Sequence, residues 1–152
     1  MILSASRAPE RVHKSRASNA AGYQGLLFER KTGKMLKSVL PRSMRLEHNP
    51  WFYYTASEGV RSACSPDFLI HDDDFGYIIV IEVKTTWVPG AILKLRALYC
   101  PVVSKALGRP TKPLVLVKHL TPDSPRPQST LSFGLLARDP LIQWLGRGTI
   151  QL

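Results

Sequence analysis

Residues 66–84, PDFLIHDDDFGYIIVIEVK, contain two apolar runs joined by a short loop that carries Asp and Gly. The second run, residues 78–81, is continuously apolar and β-branched, which is typical of a strand buried on both faces. The first run, FLI, predicts a strand that pairs with it across the loop. Charged residues lie at the ends of the runs, Asp67 before the first and Glu82 and Lys84 after the second. Since burial makes such charges costly, these three are candidate functional residues.

The three charged side chains are predicted to lie close together. Residues i and i+2 of an extended chain point to the same side, roughly 6–7 Å apart, so Glu82 and Lys84 face one way. Pairing of the two runs brings Asp67 to the same place. Two carboxylates at strand ends form a hard oxygen site suited to Mg²⁺ or Mn²⁺, with the Val83 carbonyl as a further candidate ligand. Lys84 is then placed to orient or activate a water, or to offset charge in a transition state.

The charge of the chain is unevenly distributed around a net value of +10 over 152 residues. Residues 1–45 carry ten Lys and Arg against two acids, a net charge of +8. Residues 46–90 carry two against seven, a net charge of −5, and residues 91–152 carry nine against two, a net charge of +7. Basic flanks suit a polyanion and an acidic centre suits a divalent cation, which favours a nucleic acid as partner. An acidic protein partner stays open, whereas no amphipathic anchor favours a membrane.

The cysteines and the N-terminal residues indicate the cellular compartment that is expected for the protein. Cys64 and Cys100 lie outside any CxxC or CxxH arrangement, so the sequence does not indicate a zinc site. Two reduced thiols are expected of an intracellular protein. The N-terminal residues lack the contiguous apolar core of a secretory signal, and no apolar run approaches the length that spans a bilayer.

The first half of the chain predicts one helix followed by strands. Apolar residues recur at helical spacing over residues 22–40, with Lys and Arg on the other face. Residues 51–54, WFYY, predict an aromatic strand, and residues 60–70 are expected to return beside it with a bulge or bend near Pro66. Residues 77–84 are the predicted central strand. This part is therefore expected to be mainly antiparallel.

The second half predicts a helix and one more strand. Residues 91–107 have a helical pattern that Pro101 kinks or splits, and residues 114–117 read as another buried strand. A strand, a helix and a strand in this order imply a parallel pair with a right-handed crossover. The chain is thus predicted to be an α/β protein with a mixed sheet.

Three segments make up the predicted domain organisation. Residues 1–20 are expected to be a flexible basic arm and residues 21–120 a single folded domain. Residues 121–152 are expected to contain a Pro- and Ser-rich linker and a short amphipathic segment, with a helix from residue 139 to residue 145.

At Pro66-Asp67 and Glu82-Val83-Lys84 the sequence resembles the PD-(D/E)XK nuclease superfamily, over roughly residues 22–118. The resemblance implies a restriction-endonuclease-like core, a central mixed four-stranded sheet flanked by helices. It implies Mg²⁺- or Mn²⁺-dependent cleavage of DNA phosphodiesters, with Asp67, Glu82 and Lys84 as catalytic residues. The order of elements is similar to small phage-type junction resolvases, transposon-end nucleases and homing or restriction enzymes, and one expectation that this resemblance implies is a phage-encoded protein.

The resemblance also implies a role for Glu29, because an upstream helix carrying a Glu is common in that superfamily. Glu29 is then a further catalytic residue and metal ligand beside Asp67, Glu82 and Val83. From spacing alone it reads as a surface acid paired with its basic neighbours. Phosphate contacts are expected from basic residues of the arm and of both predicted helices, namely Lys14, Arg16, Arg30, Lys31, Lys34, Lys94 and Arg96. Cleavage of a duplex needs two active sites, so a homodimer or larger homo-oligomer is expected.

Two other functions stay open at this point. One is a DNA-binding or assembly module that keeps the nuclease fold without turnover. The other is a basic α/β domain that binds protein or RNA, in which Glu82 and Lys84 form a structural ion pair.

Overall fold

The computed structural model describes the backbone of residues 1–9, 20–119, 127–128, 141–144 and 148–151, and the side chains of residues 1–9, 22–38 and 40–118. The helices are α1 (Ala20–Val39), α2 (Pro89–Lys94) and α3 (Cys100–Leu107), and a π-helical turn at Leu95–Tyr99 joins the last two. The strands are β1 (Ile2–Arg7), β2 (Met44–His48), β3 (Phe52–Ala56), β4 (Arg61–Cys64), β5 (Phe68–Asp72), β6 (Tyr77–Thr86), β7 (Thr111–His119), β8 (Pro127–Gln128), β9 (Leu141–Trp144) and β10 (Gly148–Gln151). None of the described helices combines the length and hydropathy that crossing a membrane requires.

The predicted mixed sheet is present, with β2, β5, β6 and β7 as consecutive neighbours. The two apolar runs of the central stretch pair antiparallel as β5 and β6, with Phe68 opposite Ile81. β6 and β7 pair in parallel, as the strand, helix and strand order predicts. Three further strands lengthen the sheet, whose full order is β2-β5-β6-β7-β9-β10-β8. The α/β class with a mixed sheet is therefore confirmed, and β2 is a strand that the sequence pattern did not predict.

A second sheet of three strands, in the order β1-β3-β4, lies outside the central one. The predicted return of residues 60–70 beside the aromatic strand holds for β4 only, since β5 leaves for the central sheet after the interruption near Pro66. The predicted flexible arm is wrong for Ile2–Arg7, which pair antiparallel with β3. Ile2 and Ala5 pack against the core there, so burial of their side chains orders the segment. Residues 10–19 of the predicted arm lie outside the described residues.

The predicted C-terminal helix is also wrong where the chain is described. Leu141–Trp144 form β9, which pairs in parallel with β7. A short apolar run fits either period, and here the open edge of β7 offers backbone groups that a strand can satisfy. β8 falls within the predicted linker, and the rest of residues 121–140 lies outside the described part of the chain.

Alternate side chains of β6 pack into two separate hydrophobic cores. Ile78 and Val80 pack with the π-helical turn and α3, while Ile79 and Ile81 pack with Leu36 of α1. Each such fully buried side chain contributes roughly 1.5–3 kcal/mol through removal of apolar surface from water. The sheet therefore has α1 on one face and the α2–α3 segment on the other. Glu82 continues the even-numbered series, which faces α2 and α3.

The chain is helical from Pro89 to Leu107, and the helix is interrupted by the π-helical turn close to the proline within the predicted helix. Pro101 lies directly after that turn, in the first turn of α3. Gly108 ends α3 with a left-handed φ of 65°.

Gly33→Ala is expected to destabilise the protein by about 1–2 kcal/mol, since overpacking outweighs the better helix propensity of Ala. A Cβ at Gly33 would lie 3.0 Å from Cε1 of Phe68, a ring with no exposed surface. Gly25→Ala in the same helix is the matched control, because nothing lies within 4 Å of its Cβ. That control should gain about 0.5–1 kcal/mol. Urea denaturation measures both, and a stabilising Gly33→Ala would contradict the tight packing of α1 on Phe68.

Candidate active site

Backbone pairing of β5 with β6 fixes Asp67 beside the end of the central strand. The Asp67 N–H donates to the Ile81 carbonyl at 3.1 Å, and the Asp67 carbonyl accepts from the Asn49 N–H at 2.9 Å. The Val83 N–H donates to Oδ2 of Asp67 at 2.7 Å. The carboxylate thus reaches the strand segment that carries Glu82 and Lys84, as pairing of the two runs predicts.

Glu82 and Lys84 face the same side of β6 and touch. Nζ of Lys84 donates to Oε1 of Glu82 at 2.7 Å. Nζ of Lys94, on α2, lies 3.5 Å from the same oxygen. The Glu82 side chain is only 3% exposed, and its Oε2 is buried without a hydrogen-bond partner among the described residues. Oε1 therefore lies close to both ammonium groups, while Oε2 is a buried acceptor without a partner among the described residues.

The electrostatics of Asp67 show that the acidic side chains share one environment. Burial, followed by the charge of Glu82, raises the pKa of Asp67 to about 7. The hydrogen bond from Val83 lowers it, Glu29 raises it further, and Lys84 lowers it. At neutral pH, protonation of Asp67 therefore relieves a surplus of negative charge.

Lys84 remains a cation in this environment. Burial acts to lower the pKa of Lys84, but the charge and hydrogen bond of Glu82 outweigh it. Asp67 and Glu29 raise the pKa further, so the net change is upward. An ammonium with a raised pKa is a donor and a counter-charge at neutral pH, and it is a poor proton acceptor.

Glu29 approaches from α1 and contacts the end of β2. Its Oε1 lies 2.7 Å from Nε2 of His48 and accepts from Nδ2 of Asn49 at 3.0 Å. The His48 ring stacks on Phe68, with centroids 4.6 Å apart and planes at 15°. Asn49 has a left-handed φ of 50°, which Asn tolerates better than most residues and which puts its amide at Glu29. Glu29 is thus held by two side chains while its charge still acts on Asp67 and Lys84.

The π-helical turn completes the wall around Glu82. Lys94 directly precedes this turn, and Tyr99 is its last residue. Nζ of Lys94 lies 4.5 Å from the centroid of the Tyr99 ring. Burial raises the pKa of the Tyr99 hydroxyl, and the charges of Glu82 and Asp67 raise it further. Since π-helical turns place residues five apart on one face, this turn sets Lys94 above Tyr99 and beside Glu82.

The structure adds three residues that the sequence pattern missed at this site. His48 and Asn49 hold Glu29, and Tyr99 lies near Glu82 and Asp67. The Asn49-Pro50 pair is a turn signal, which predicts a bend there but not the partner of its side chain. Lys94, predicted as a phosphate contact, forms an ion pair with Glu82, with Nζ 3.5 Å from Oε1.

The other predicted phosphate contacts are distributed as follows. Arg30, Lys31 and Lys34 are exposed on α1, and Arg96 is exposed in the π-helical turn. Lys14 and Arg16 lie outside the described residues. Contact of these residues with DNA stays a prediction.

The fit of a divalent cation depends on the donor set. Within the part of the chain that the structure describes, no group of three or more His, Cys, Asp or Glu side chains is already arranged around a metal position. The carboxylates of Asp67 and Glu82 nevertheless suit a hard cation, because one buried Glu82 oxygen has no partner among the described residues, and burial and then the charge of Glu82 raise the pKa of Asp67. These residues therefore fit Mg²⁺ or Mn²⁺. Val83 contributes its N–H to Asp67, and a role for its carbonyl stays a prediction.

No protein-family model, no curated protein and no solved structure matches this chain.

Proposed function

We propose that this chain is an intracellular, divalent-metal-dependent DNA endonuclease with a restriction-endonuclease-like core of the PD-(D/E)XK type. The observation that carries the proposal is the convergence of Asp67, Glu82 and Lys84 on the end of one buried strand, with the charge of Glu29 acting on the same group. A structural ion pair between Glu82 and Lys84 does not need a third group such as Asp67, a buried carboxyl whose pKa burial and then the charge of Glu82 raise to about 7.

Asp67 and Glu82 would hold Mg²⁺ or Mn²⁺, with Glu29 and the Val83 carbonyl as further ligands. The chemistry supplied by a bound cation is polarisation of a phosphoryl oxygen and compensation of the carboxylate charge. Two facts about the chain favour this set. Oε2 of Glu82 is buried without a partner among the described residues, and the charges of Glu82 and Glu29 act on the buried carboxyl of Asp67.

Lys84 has the clearest role among the chain's own residues. Hydrolysis adds a hydroxyl to phosphorus and a proton to the leaving oxygen, and negative charge builds up on the phosphoryl oxygens in between. The Lys84 ammonium, kept charged by Glu82, would donate a hydrogen bond to that charge or orient the attacking water. The raised pKa argues against Lys84 as the base that removes a proton from water.

The basic flanks would bring DNA to this acidic centre. Exposed cations on α1 stand on the same helix as Glu29, and phosphate contacts of this kind give affinity that falls with salt and carries no sequence choice. Cutting both strands of a duplex would require a second copy of the site, which we propose comes from a homodimer or larger homo-oligomer.

The direct test is cleavage of plasmid, four-way junction and flap DNA in Mg²⁺, in Mn²⁺ and in EDTA. Wild type is expected to cut at least one substrate with metal, and Asp67→Ala and Lys84→Ala to cut none at a comparable rate. Asp74→Ala is the matched control, because it removes an exposed acid from the same acidic stretch outside the site. If the wild type and both site variants behave alike on every substrate, the proposal fails.

A second candidate function is a DNA-binding or assembly module with the same fold and no turnover. The observation that favours it is the way Lys84 and Lys94 both occupy one oxygen of Glu82, with Asp67 bound to the Val83 N–H. Tight DNA binding in EDTA without cleavage in Mg²⁺ or Mn²⁺ supports this function. A structural ion pair in a basic α/β domain, the third possibility, predicts that Mg²⁺ leaves the melting temperature unchanged.

A further inference from the structure

A pocket of about 470 Å³ is lined in part by His48 and Asn49, the two residues that bind Glu29. It is formed where the end of β1, the middle of α1 and the β2–β3 connection meet, and we call it the Trp51 pocket. Its lining residues include Pro9, Leu26, Arg30, His48, Asn49 and Trp51. The volume lies in the range of small-molecule sites, and the lining combines aromatic rings with a cation and an amide.

The Trp51 pocket shares a wall with the candidate active site. His48 and Asn49 line the pocket and both bind the carboxylate of Glu29. The Asn49 N–H also donates to the Asp67 carbonyl at 2.9 Å. Asn49 therefore lines the pocket and contacts both Glu29 and Asp67 of the proposed site.

The chemistry of the lining suits a nucleobase joined to a phosphate. Trp51 offers an indole for stacking, and Arg30 offers an exposed guanidinium on the rim. Glu47 also lines the pocket, but its carboxylate is bound by Arg7 and His71, which offset its charge toward an anion. Burial raises the pKa of Glu47, but the bonds from Arg7 and His71 outweigh this and lower it overall, so the group stays ionised and paired.

We propose that the Trp51 pocket binds one unpaired nucleotide of a DNA strand whose neighbouring phosphodiester lies at Asp67 and Lys84. A base inside a continuous duplex cannot enter a pocket of this kind without leaving the stack, which costs a few kcal/mol. The favoured substrate class is therefore DNA with a single-stranded nucleotide at the cleavage point, such as a flap or a branched junction. This inference rests on the proposed endonuclease function and narrows its substrate.

The test is equilibrium binding by fluorescence anisotropy in EDTA, which separates the pocket from cleavage. The probes are a fully paired duplex and the same duplex with a short single-stranded flap. Wild type is expected to prefer the flap probe, and Trp51→Ala to weaken flap binding about 5- to 150-fold, the range that loss of one base–aromatic stack gives. Trp51→Phe keeps a ring for stacking and should retain most of the preference.

Charge is tested separately with two variants on α1. Arg30→Gln removes a cation that lines the pocket, and Lys37→Gln removes an exposed cation of the same helix that does not. Arg30→Gln is expected to weaken flap binding more than duplex binding. Lys37→Gln should change both probes by the same factor, because it acts only through long-range charge.

Equal binding of the two probes by wild type overturns the inference, as does an equal loss on both probes for Trp51→Ala. Melting curves identify a Trp51→Ala protein that has not folded, and Trp51→Phe and Arg30→Gln then decide the matter. Cleavage in Mg²⁺ without a flap preference refutes nucleotide binding by the Trp51 pocket and supports the endonuclease function. A Trp51-dependent flap preference without cleavage refutes the endonuclease function and supports nucleotide binding by the Trp51 pocket.

Discussion

Asp67→Asn is expected to make the metal-free protein more stable at pH 8 by about 2–4 kcal/mol, while it removes Mg²⁺-dependent cleavage. In the folded protein burial and the Glu82 charge raise the pKa of Asp67 from an ordinary value near 3.8 to about 7. The folded state therefore binds a proton that the unfolded state has already lost between about pH 4 and pH 7. Across that window wild-type stability falls as pH rises, and Asn, which carries no charge, removes this loss.

The comparison between wild type and variant isolates this effect from the other titrating groups. The pKa values of Glu47 and His71 are lowered on folding, so their contributions are present at neutral pH and are lost as pH falls. Those slopes oppose that of Asp67 and are common to both proteins. Urea denaturation at pH 4.5 and pH 8 measures the difference, with Asp74→Asn as a control expected to stay within about 0.5 kcal/mol. A variant that is less stable than wild type at pH 8 contradicts the buried, repelled carboxylate.

The same pair of proteins reports on the metal. A cation bound only by the folded state stabilises it by about 2.7 kcal/mol when its concentration is 100 times the dissociation constant. Mg²⁺ or Mn²⁺ should therefore raise the melting temperature of wild type and leave that of Asp67→Asn nearly unchanged. Stability and activity then move in opposite directions at one residue, as expected where function keeps a charge that folding disfavours.

The centre of the site could be predicted because it depends on local periodicity. A β-branched run fixes β6, and the period of two residues puts Glu82 and Lys84 on one side, where they form the 2.7 Å bond. The short loop between the apolar runs fixes the antiparallel partner and with it Asp67. None of these steps needs a contact between residues that are distant in the chain.

The rest depends on long-range partners that local pattern does not contain. Ile2–Arg7 form a strand only because β3 offers an edge, and Leu141–Trp144 form one beside β7. Lys94 directly precedes a π-helical turn and lies 3.5 Å from Glu82, whereas the sequence predicts only a helix with a proline in it. The positions of His48 and Asn49 depend on a left-handed residue, which a turn signal indicates without naming what its side chain will bind.

Lys84→Met is expected to lower the rate of Mg²⁺-dependent cleavage by about 10²- to 10⁴-fold with a much smaller effect on stability. The ammonium is the group that would meet charge on the phosphoryl oxygens, and Met keeps most of its length and its apolar stem. Loss of the bond leaves Glu82 with Lys94 at 3.5 Å, which costs about 1 kcal/mol because Lys84 is one-third exposed. Single-turnover cleavage beside urea denaturation separates the two effects.

Two further variants distinguish a group that acts in the reaction from one that only holds Glu82 in place. Lys84→Arg keeps a cation at Glu82 but changes its shape from a point charge to a planar fork, so it should recover part of the rate. Lys94→Met removes the more distant ammonium from the same Glu82 oxygen, so it should lower the rate less than Lys84→Met does. If Lys84 served only to neutralise Glu82, the double variant Glu82→Gln and Lys84→Met would regain the stability lost in Lys84→Met and would cut as well as Glu82→Gln alone. If Lys84 acts on the phosphodiester, the double variant regains stability but cuts more slowly than Glu82→Gln alone. The Glu82→Gln change removes the unpaired buried charge, but it does not supply a hydrogen-bond donor to the reacting phosphate.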